Sequence, residues 1–449
     1  MAAPAQTPAP LAKLPPVERN RYADLLRVLA ISLVIIGHWL LTDITYRPGQ
    51  LSGLDAMHYV SWSGWATLFF QVMPVFFVVG GYVNATSWTA HHALGEGWTG
   101  WVRERVMRLL WPTTVYVTFV VAAADVSEAS GVRPATLAQA GWLVSLQLWF
   151  LPVYLVLIAL TPVMLAAHRR WELAVPAVMA LAAAGVDAGV LGPHLHLIGF
   201  ANYFLVWGSM HQWGFAWRDG TLTHPRWRPY ALAAGGAAVL AGLLAWSPFP
   251  VDMIGFGGVV GNTTPPSIAL LAFAAAQTGL VLAAAPAISR ALARPRLWRP
   301  VKRLNAMVMT TYLWHMVPVI VVAVTLYPDG LLPQPAVGSA QWWELRPLWL
   351  ALLAAVLVPV IAGVTWLARP LRRLPMGLGP TGWWSPVALL LGIAFAIPAL
   401  ARLAIDGFAP NGRLPILILG AYFCALALTL LSGRPQPVDT HDPLRAPGN

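Results

Sequence analysis

Long apolar segments alternate with short polar ones along nearly the whole chain. A helix of about twenty apolar residues is long enough to cross the hydrocarbon core of a bilayer. The pattern therefore predicts an all-α, polytopic bundle of transmembrane helices with about 12 spans. The predicted spans fall near residues 24–43, 64–88, 105–124, 139–166, 171–189, 197–215, 229–247, 266–288, 304–326, 346–368, 384–405 and 412–431.

Composition and charge agree with a membrane protein and exclude several other classes. Hydrophobic residues make up 58% of the chain and charged residues only 10%, and the net charge is +11. With the N-terminus in the cytoplasm, most of the 28 Lys and Arg residues fall on the cytoplasmic side, as the positive-inside rule expects. The charge therefore predicts a multi-pass protein of the inner (plasma) membrane with both termini cytoplasmic, and no nucleic-acid partner. Cys424 is the single cysteine, which excludes an intrachain disulfide, and no metal site is predicted.

The first apolar segment carries the first candidate functional residues. Arg27 and His38 are eleven residues apart, which places them on nearly the same helical face and about 16 Å apart along the axis. Asp24 lies three residues before Arg27, within pairing distance. Ionisable groups inside a membrane are costly, so a functional role is the first hypothesis. The alternatives are a headgroup anchor for Arg27 and an interhelical hydrogen bond for His38.

Two further segments offer groups that suit a phosphorylated ligand. Arg105 and Arg108 are three residues apart and share a helical face, where two guanidiniums could bind a phosphate or pyrophosphate. Gly80 and Gly81 allow close approach, either of a neighbouring helix or of a slim ligand. For the arginines, plain anchoring at the membrane edge is the alternative.

Two other spans contain signals of polar interiors or broken helices. Tyr312 and His315 are three residues apart on one face of an otherwise apolar segment, and His315 is a second candidate base. Pro152 lies inside the fourth span and predicts a kink or break there.

Five motifs occur in order along the chain: Arg27, ten intervening residues and His38; Phe76-Phe-x-x-Gly-Gly-Tyr82; Arg105-x-x-Arg108; Leu148-Trp-Phe-Leu151; and Tyr312-x-x-His315. Taken together, they resemble the acyltransferase-3 family of integral-membrane O-acyltransferases, over residues of about 18–370. The resemblance implies a donor such as acetyl-CoA or a longer acyl-CoA, and an acceptor hydroxyl on a glycan, lipid or small molecule. Gly80 departs from the serine of many members, and the last two spans lie beyond the usual core.

The resemblance also divides the chain and gives the fold a ten-span acyltransferase core followed by two C-terminal spans. Residues 21–370 form the predicted core and residues 371–432 the two additional transmembrane helices. Residues 1–20 are predicted to be a disordered cytoplasmic N-terminus, and residues 433–449 a disordered cytoplasmic tail.

The predicted mechanism assigns His38 as the proton acceptor for the hydroxyl or, alternatively, as a covalent acyl carrier. The supporting catalytic residues are Asp24, which would orient Arg27, and Tyr312 and His315, which would polarise the thioester carbonyl or position the acceptor. The predicted donor-binding residues are Arg27, Arg105, Arg108, Gly80 and Gly81, with the arginines on the CoA phosphates and the glycines leaving room for the pantetheine arm.

Acyl-CoA enters this prediction as a substrate, and no permanently bound cofactor is expected. The expected partners are acyl-CoA, the hydroxyl-bearing acceptor and the lipid bilayer, while the oligomeric state is not predicted. A secondary transporter of an amphipathic solute is the rival function, because twelve spans with both ends inside is a common transporter layout. Against it, the two halves do not repeat, and the polar groups concentrate in the first three spans and the ninth.

Overall fold

The computed structural model describes residues 19–47, 50–255, 261–371 and 382–433. Nearly all of the two predicted disordered termini, 1–20 and 433–449, lies outside these ranges. The helices before residue 200 are α1 Arg21–Leu41, α2 Ser63–Phe70, α3 Met73–Ala93, α4 Trp98–Ala129, α5 Pro134–Leu143, α6 Phe150–Trp171 and α7 Ala174–Leu191. The later helices are α8 Ala201–Arg218, α9 Arg228–Trp246, α10 Ile268–Leu292, α11 Pro295–Trp314, α12 Val317–Leu326, α13 Ala340–Leu371, α14 Trp384–Asp406 and α15 Ile416–Leu431.

The described residues form the predicted polytopic helical bundle. In the part of the chain that the structure describes, nine helical segments are long and apolar enough to cross a membrane, or ten if the bent pair α11–α12 is one span. The predicted sixth and twelfth spans correspond to α8 and α15. Helix α8 does not meet this criterion of length and hydropathy, and α15 is a shorter apolar helix of 16 residues. The helical membrane bundle is thus confirmed, while the number twelve stays a prediction.

The polarity of α8 follows from its position inside the bundle. It packs against α3, α6, α7 and α10, and its polar residues Ser209, His211 and Gln212 are fully buried by protein. A helix enclosed by other helices does not face lipid, so it can carry polar side chains that a lipid-facing helix would expose at high cost.

A two-stranded hairpin follows α1, and the all-α prediction did not include it. Strand β1, Thr42–Arg47, pairs antiparallel with β2, Gln50–Asp55. An isolated two-stranded hairpin is marginally stable, so its formation here depends on tertiary contacts rather than on local sequence. Asp43 supplies these contacts, since it accepts hydrogen bonds from Arg346 Nη2 at 2.6 Å and from Trp342 Nε1 at 2.8 Å on α13.

The ninth predicted span is broken. Helix α11 ends at Trp314, α12 begins at Val317, and the two axes differ by 54°. Pro318 explains the break, because it has no N–H to donate to the Trp314 carbonyl and its ring clashes with that group.

The irregular part of the fourth span lies earlier than predicted. A short 3₁₀ helix at Leu146–Trp149 precedes α6, and Pro152 stands in the first turn of α6. A proline is tolerated in the first turn because the N–H groups there have no helical acceptor. Pro152 therefore lies at the start of a helix and not at a kink within it.

Candidate active site

Helix α1 carries functional candidates at both of its ends. Its N-terminus is capped by Asn20, whose side chain accepts hydrogen bonds from the backbone N–H groups of Tyr22 and Ala23. Arg27 lies in the second turn and His38 in the last turn, so the axial rise between them is about 16 Å. The two ends of α1 thus form two separate polar regions of the bundle.

His38 is hydrogen-bonded to a second histidine from the broken span. His38 Nδ1 lies 2.8 Å from His315 Nε2, and the two rings are nearly parallel, with an angle of 23° between them. His315 is fully buried, while His38 is only partly buried. The structure therefore brings together two predicted site residues that are 277 positions apart in the chain.

The contacts of His315 determine which nitrogen carries each proton. His315 Nδ1 lies 2.6 Å from the Tyr312 carbonyl, which only accepts, so Nδ1 carries the hydrogen. The other nitrogen of a neutral His315 is then an acceptor, and His38 Nδ1 must donate to it. In a neutral His38 the remaining nitrogen, Nε2, therefore keeps its lone pair and has no partner among the described residues.

The break between α11 and α12 makes this arrangement possible. A helix end leaves carbonyl groups without intrahelical partners. The His315 carbonyl accepts a hydrogen bond from Trp39 Nε1 at 2.7 Å, and the Trp39 carbonyl in turn accepts one from Trp349 Nε1 at 3.0 Å. These two indoles fix the broken segment and the C-terminal end of α1 against each other.

Tyr312 supports the histidine pair through its backbone rather than its hydroxyl. The hydroxyl is buried and donates to the Gln147 carbonyl at 2.9 Å, while Gln147 Nε2 donates to the Leu313 carbonyl at 2.9 Å. Because this contact engages the hydroxyl within the protein, the expectation that Tyr312 polarises the thioester carbonyl or positions the acceptor stays a prediction. In this structure Tyr312 joins α11 to the 3₁₀ helix before α6 and supplies the carbonyl that orients His315.

His38 lines a cavity of about 610 Å³ at this end of the bundle. A volume of this order is typical of small-molecule sites. The wall combines apolar and aromatic side chains with a few polar groups, and the hairpin β1–β2 contributes to it. The other lining residues are Leu41, Thr42, Gly53, Met57, Tyr59, Gln139, Trp142, Leu143, Leu146, Trp149, Ile254 and Gly255.

Arg27 lies in a polar cluster at the opposite end of α1. Its Nη1 is 3.7 Å from Asp24 Oδ1 and 3.4 Å from Asn305 Oδ1, and Asn305 Nδ2 donates to Asp24 Oδ1 at 3.1 Å. Arg19 also pairs with Asp24, at 2.5 Å. Asp24 is fourteen residues from His38, about 21 Å along the helix, so its partners are Arg19, Asn305 and Arg27 and not the imidazole.

Arg105 on α4 lies within electrostatic range both of this cluster and of Arg108, which is the more exposed of the two. Arg105 is partly buried, lies within electrostatic range of Arg27 and of the Tyr154 phenol, and stacks over the Trp101 ring at 5.8 Å. Arg108 is exposed and pairs with Glu104 one helical turn away. Arg27 and Arg105 thus lie within electrostatic range of each other, and Arg108 is exposed and paired with Glu104.

Gly80 and Gly81 serve close packing in this structure. A Cβ atom on Gly81 would lie 2.0 Å from the His211 carbonyl oxygen, so α3 and α8 touch at their backbones there. A Cβ atom on Gly80 would lie 2.8 Å from the Tyr154 ring. The expectation that both glycines leave room for a pantetheine arm is therefore corrected, because neighbouring protein atoms fill the space beside them.

Several residues of the site escaped prediction from the sequence. Trp39 supports the histidine pair, and Asn305 supports the Arg27–Asp24 cluster. Neither an indole beside a histidine nor a single asparagine in a helix forms a distinctive sequence pattern. Gln139 of the cavity is equally inconspicuous. Gln147, adjoining the Leu148–Leu151 motif, had the clearest signal, as an amide in an apolar segment. Within the described ranges, no three His, Cys, Asp or Glu side chains gather in a group that could hold a metal ion.

The comparison with protein families identifies the family of the chain. A family model described as an acyltransferase domain matches residues 20–369, which is most of the chain. The chain belongs to the acyltransferase-3 family. This membership confirms the resemblance seen in the sequence motifs and makes the protein a membrane acyltransferase. No curated protein and no solved structure matches the chain.

Proposed function

We propose that this acyltransferase moves an acyl group from acyl-CoA to a hydroxyl of a glycan, a lipid or a related small molecule. The donor phosphates bind at the arginine end of α1, where Arg27 and Arg105 offer two guanidiniums. The acceptor occupies the cavity at the other end, which His38 lines. The axial separation of about 16 Å matches the reach of a pantetheine arm.

In this reaction His38 Nε2 takes the proton of the acceptor hydroxyl while the oxygen attacks the thioester carbonyl. The carbon–sulfur bond then breaks, and the imidazolium returns the proton to the departing CoA thiolate. In the covalent alternative, Nε2 attacks the thioester carbonyl and the carbon–sulfur bond breaks to release the CoA thiolate. The hydroxyl oxygen then takes the acyl group from the acyl-histidine, which frees Nε2, and the hydroxyl proton goes to the thiolate. Both routes need an unprotonated Nε2 beside the acceptor.

The observation that supports this function is the hydrogen-bonded series Tyr312 carbonyl, His315 and His38 at the wall of the cavity. It fixes the proton on His38 Nδ1 and keeps the lone pair of Nε2 available. A base oriented by a second group is the common arrangement for proton transfer in acyl transfer. No comparable feature of the described residues favours solute transport.

The test uses purified protein in lipid nanodiscs with labelled acetyl-CoA and a mixture of envelope glycans and lipids as acceptors. We expect release of CoA and a labelled product from the wild type. His38→Gln retains a donor for His315 but has no basic nitrogen, so turnover should fall by about 10²–10⁴-fold. Intact-mass measurement without acceptor separates the two routes, since only the covalent route adds an acyl mass that His38→Gln lacks.

The matched control is His92→Ala, which removes a histidine of α3 that stacks on Trp88 away from the cavity. It should keep near wild-type turnover. Full activity in His38→Gln would remove His38 from the mechanism. Proton- or sodium-coupled solute flux with no acylation would instead support the transporter.

A further inference from the structure

A buried amide without a partner lies beside the arginine cluster. Asn84 on α3 is 1% exposed, and its Nδ2 has no hydrogen-bond partner in the described parts of the chain. An unsatisfied buried donor is costly, and native proteins rarely keep one without a reason. The sequence motifs of the family resemblance do not include Asn84, and the mechanism above does not use it.

Tyr154 connects this amide to the two arginines. The Asn84 side chain lies beside the Tyr154 hydroxyl, and the same phenol lies within electrostatic range of Arg105 and Arg27. The phenol is therefore within interaction range of the amide and of both guanidiniums. The guanidiniums and the amide NH₂ are donors, so a group that would bring them together is an oxygen-rich anion.

Gly80 explains how Tyr154 reaches this position. Gly80 and Asn84 are four residues apart on one face of α3, and a Cβ atom on Gly80 would lie 3.0 Å from the Tyr154 hydroxyl oxygen. The missing side chain lets the phenol lie against the helix one turn before the amide. The packing role of Gly80 thus brings the Tyr154 hydroxyl beside Asn84.

We propose that Asn84 is a donor-binding residue, and that its Nδ2 donates a hydrogen bond to a phosphate oxygen of acyl-CoA held between Arg27 and Arg105. Tyr154 is the positioning residue that keeps the amide beside the arginines. This proposal rests on the proposed function, because it assumes that the anion at this end is the phosphorylated donor. It explains why a buried donor is retained without a partner in the protein itself.

The experiment compares Asn84→Leu with the wild type in nanodiscs, using acetyl-CoA and S-acetyl-pantetheine, which lacks the phosphates. With acetyl-CoA, the KM for the donor should rise about tenfold or more in the variant, with turnover number and acceptor KM within about threefold. With acetyl-pantetheine, the two proteins should have the same donor KM. The thermal midpoint without donor should stay equal or rise, because the substitution removes an unsatisfied group.

Asn202→Leu is the matched control. Asn202 is also a fully buried asparagine, but its Nδ2 donates to Asp187 Oδ1 at 2.7 Å. This substitution should lower the thermal midpoint and leave the donor KM unchanged.

The outcomes separate this proposal from the proposed function. If Asn84→Leu leaves the acetyl-CoA KM unchanged while Arg105→Gln raises it, the assignment of Asn84 is overturned and acyl-CoA remains the donor. An equal rise with both donors would place the amide away from the phosphates and also overturn it. If the wild type neither binds nor consumes acetyl-CoA, both proposals fail.

Discussion

The two ends of α1 differ in how well the protein alone satisfies their polar groups. At the cavity end, both ring nitrogens of His315 and its carbonyl have hydrogen-bond partners within the protein. At the arginine end, Arg27 and Arg105 bring like charges into range of each other, and Asn84 Nδ2 has no partner among the described residues. The protein itself thus satisfies the groups that support His38 and leaves open only the nitrogen proposed to react, whereas the arginine end keeps an unsatisfied donor and like charges in range of each other.

Under the proposed mechanism, this difference fits different tasks for the two ends. Groups that act in a transition state gain most when they are oriented before the substrate arrives, as the His315–His38 pair is. A cluster of donors and positive charges gains its missing partners only when an anion binds. Substitutions at the cavity end should therefore reduce turnover, whereas those at the arginine end should weaken donor binding.

Replacing His315 should produce the largest loss of turnover at the cavity end short of removing His38 itself. His315→Leu removes the acceptor that holds the proton on His38 Nδ1, so a large share of His38 would adopt the unproductive tautomer. We expect turnover to fall by roughly 10²–10⁴-fold, as for other groups that orient a catalytic histidine, with the donor KM within about threefold. Steady-state kinetics of the purified variant measure both quantities.

His315→Gln serves as the conservative comparison. Its side-chain oxygen can still accept a hydrogen bond from His38 Nδ1, so it should retain more turnover than His315→Leu. Equal losses in two folded variants would contradict the acceptor role of His315. A loss confined to the donor KM would contradict the division between the two ends.

The sequence predicted the residues of the histidine pair but not their contact. Helical periodicity placed Arg27 and His38 on one face, and the apolar context of His315 marked it as a candidate base. The hydrogen bond between His38 and His315 depends on how α1 packs against the broken span, and local pattern carries no information on that packing. Pro318 was a visible signal of the break, since proline ends a helix by known rules.

Other parts of the site were hidden for similar reasons. The sequence shows that Gly80 and Gly81 lack side chains, but not whether a ligand, a phenol or a helix backbone fills the space. The hairpin was missed because a short strand pair is stabilised by residues distant in the chain, here Asp43 and Arg346. The contents of the space beside the two glycines and the presence of the hairpin therefore depend on long-range packing, which the sequence pattern does not show.

Substitutions at the arginine end should weaken donor binding, and the change should be smaller than the loss of turnover expected for His315→Leu. Arg105→Gln removes a partly buried guanidinium from the cluster, and the KM for acyl-CoA should rise about tenfold or more. Arg108→Gln should change it by less than about threefold, because Arg108 is exposed and already bound to Glu104. Donor titrations of both variants at saturating acceptor test this ranking, and the reverse order would place the donor on the outer face of α4.

The ion pair between Asp43 and Arg346, which holds the hairpin, should have the smallest effect on catalysis. Arg346 Nη2 and Trp342 Nε1 both donate to Asp43 Oδ1, and the Arg346 guanidinium stacks on the Trp342 ring at 3.7 Å. This cluster supports the cavity wall through β1 but contains no group that acts in the proposed reaction. Its contribution should therefore be to stability rather than to turnover.

Arg346→Met should lower stability by about 3–5 kcal/mol, because it leaves the Asp43 carboxylate buried without its counter-charge. Asp43→Asn combined with Arg346→Met should recover much of that loss, since the amide oxygen still accepts from Trp342 and no lone charge remains. Thermal unfolding in detergent measures both variants, and the donor KM should stay within about twofold in each. A rise in donor KM comparable to that of Arg105→Gln would show that the two ends of α1 are energetically coupled, because a change beside the hairpin would then reach the donor site through the helix.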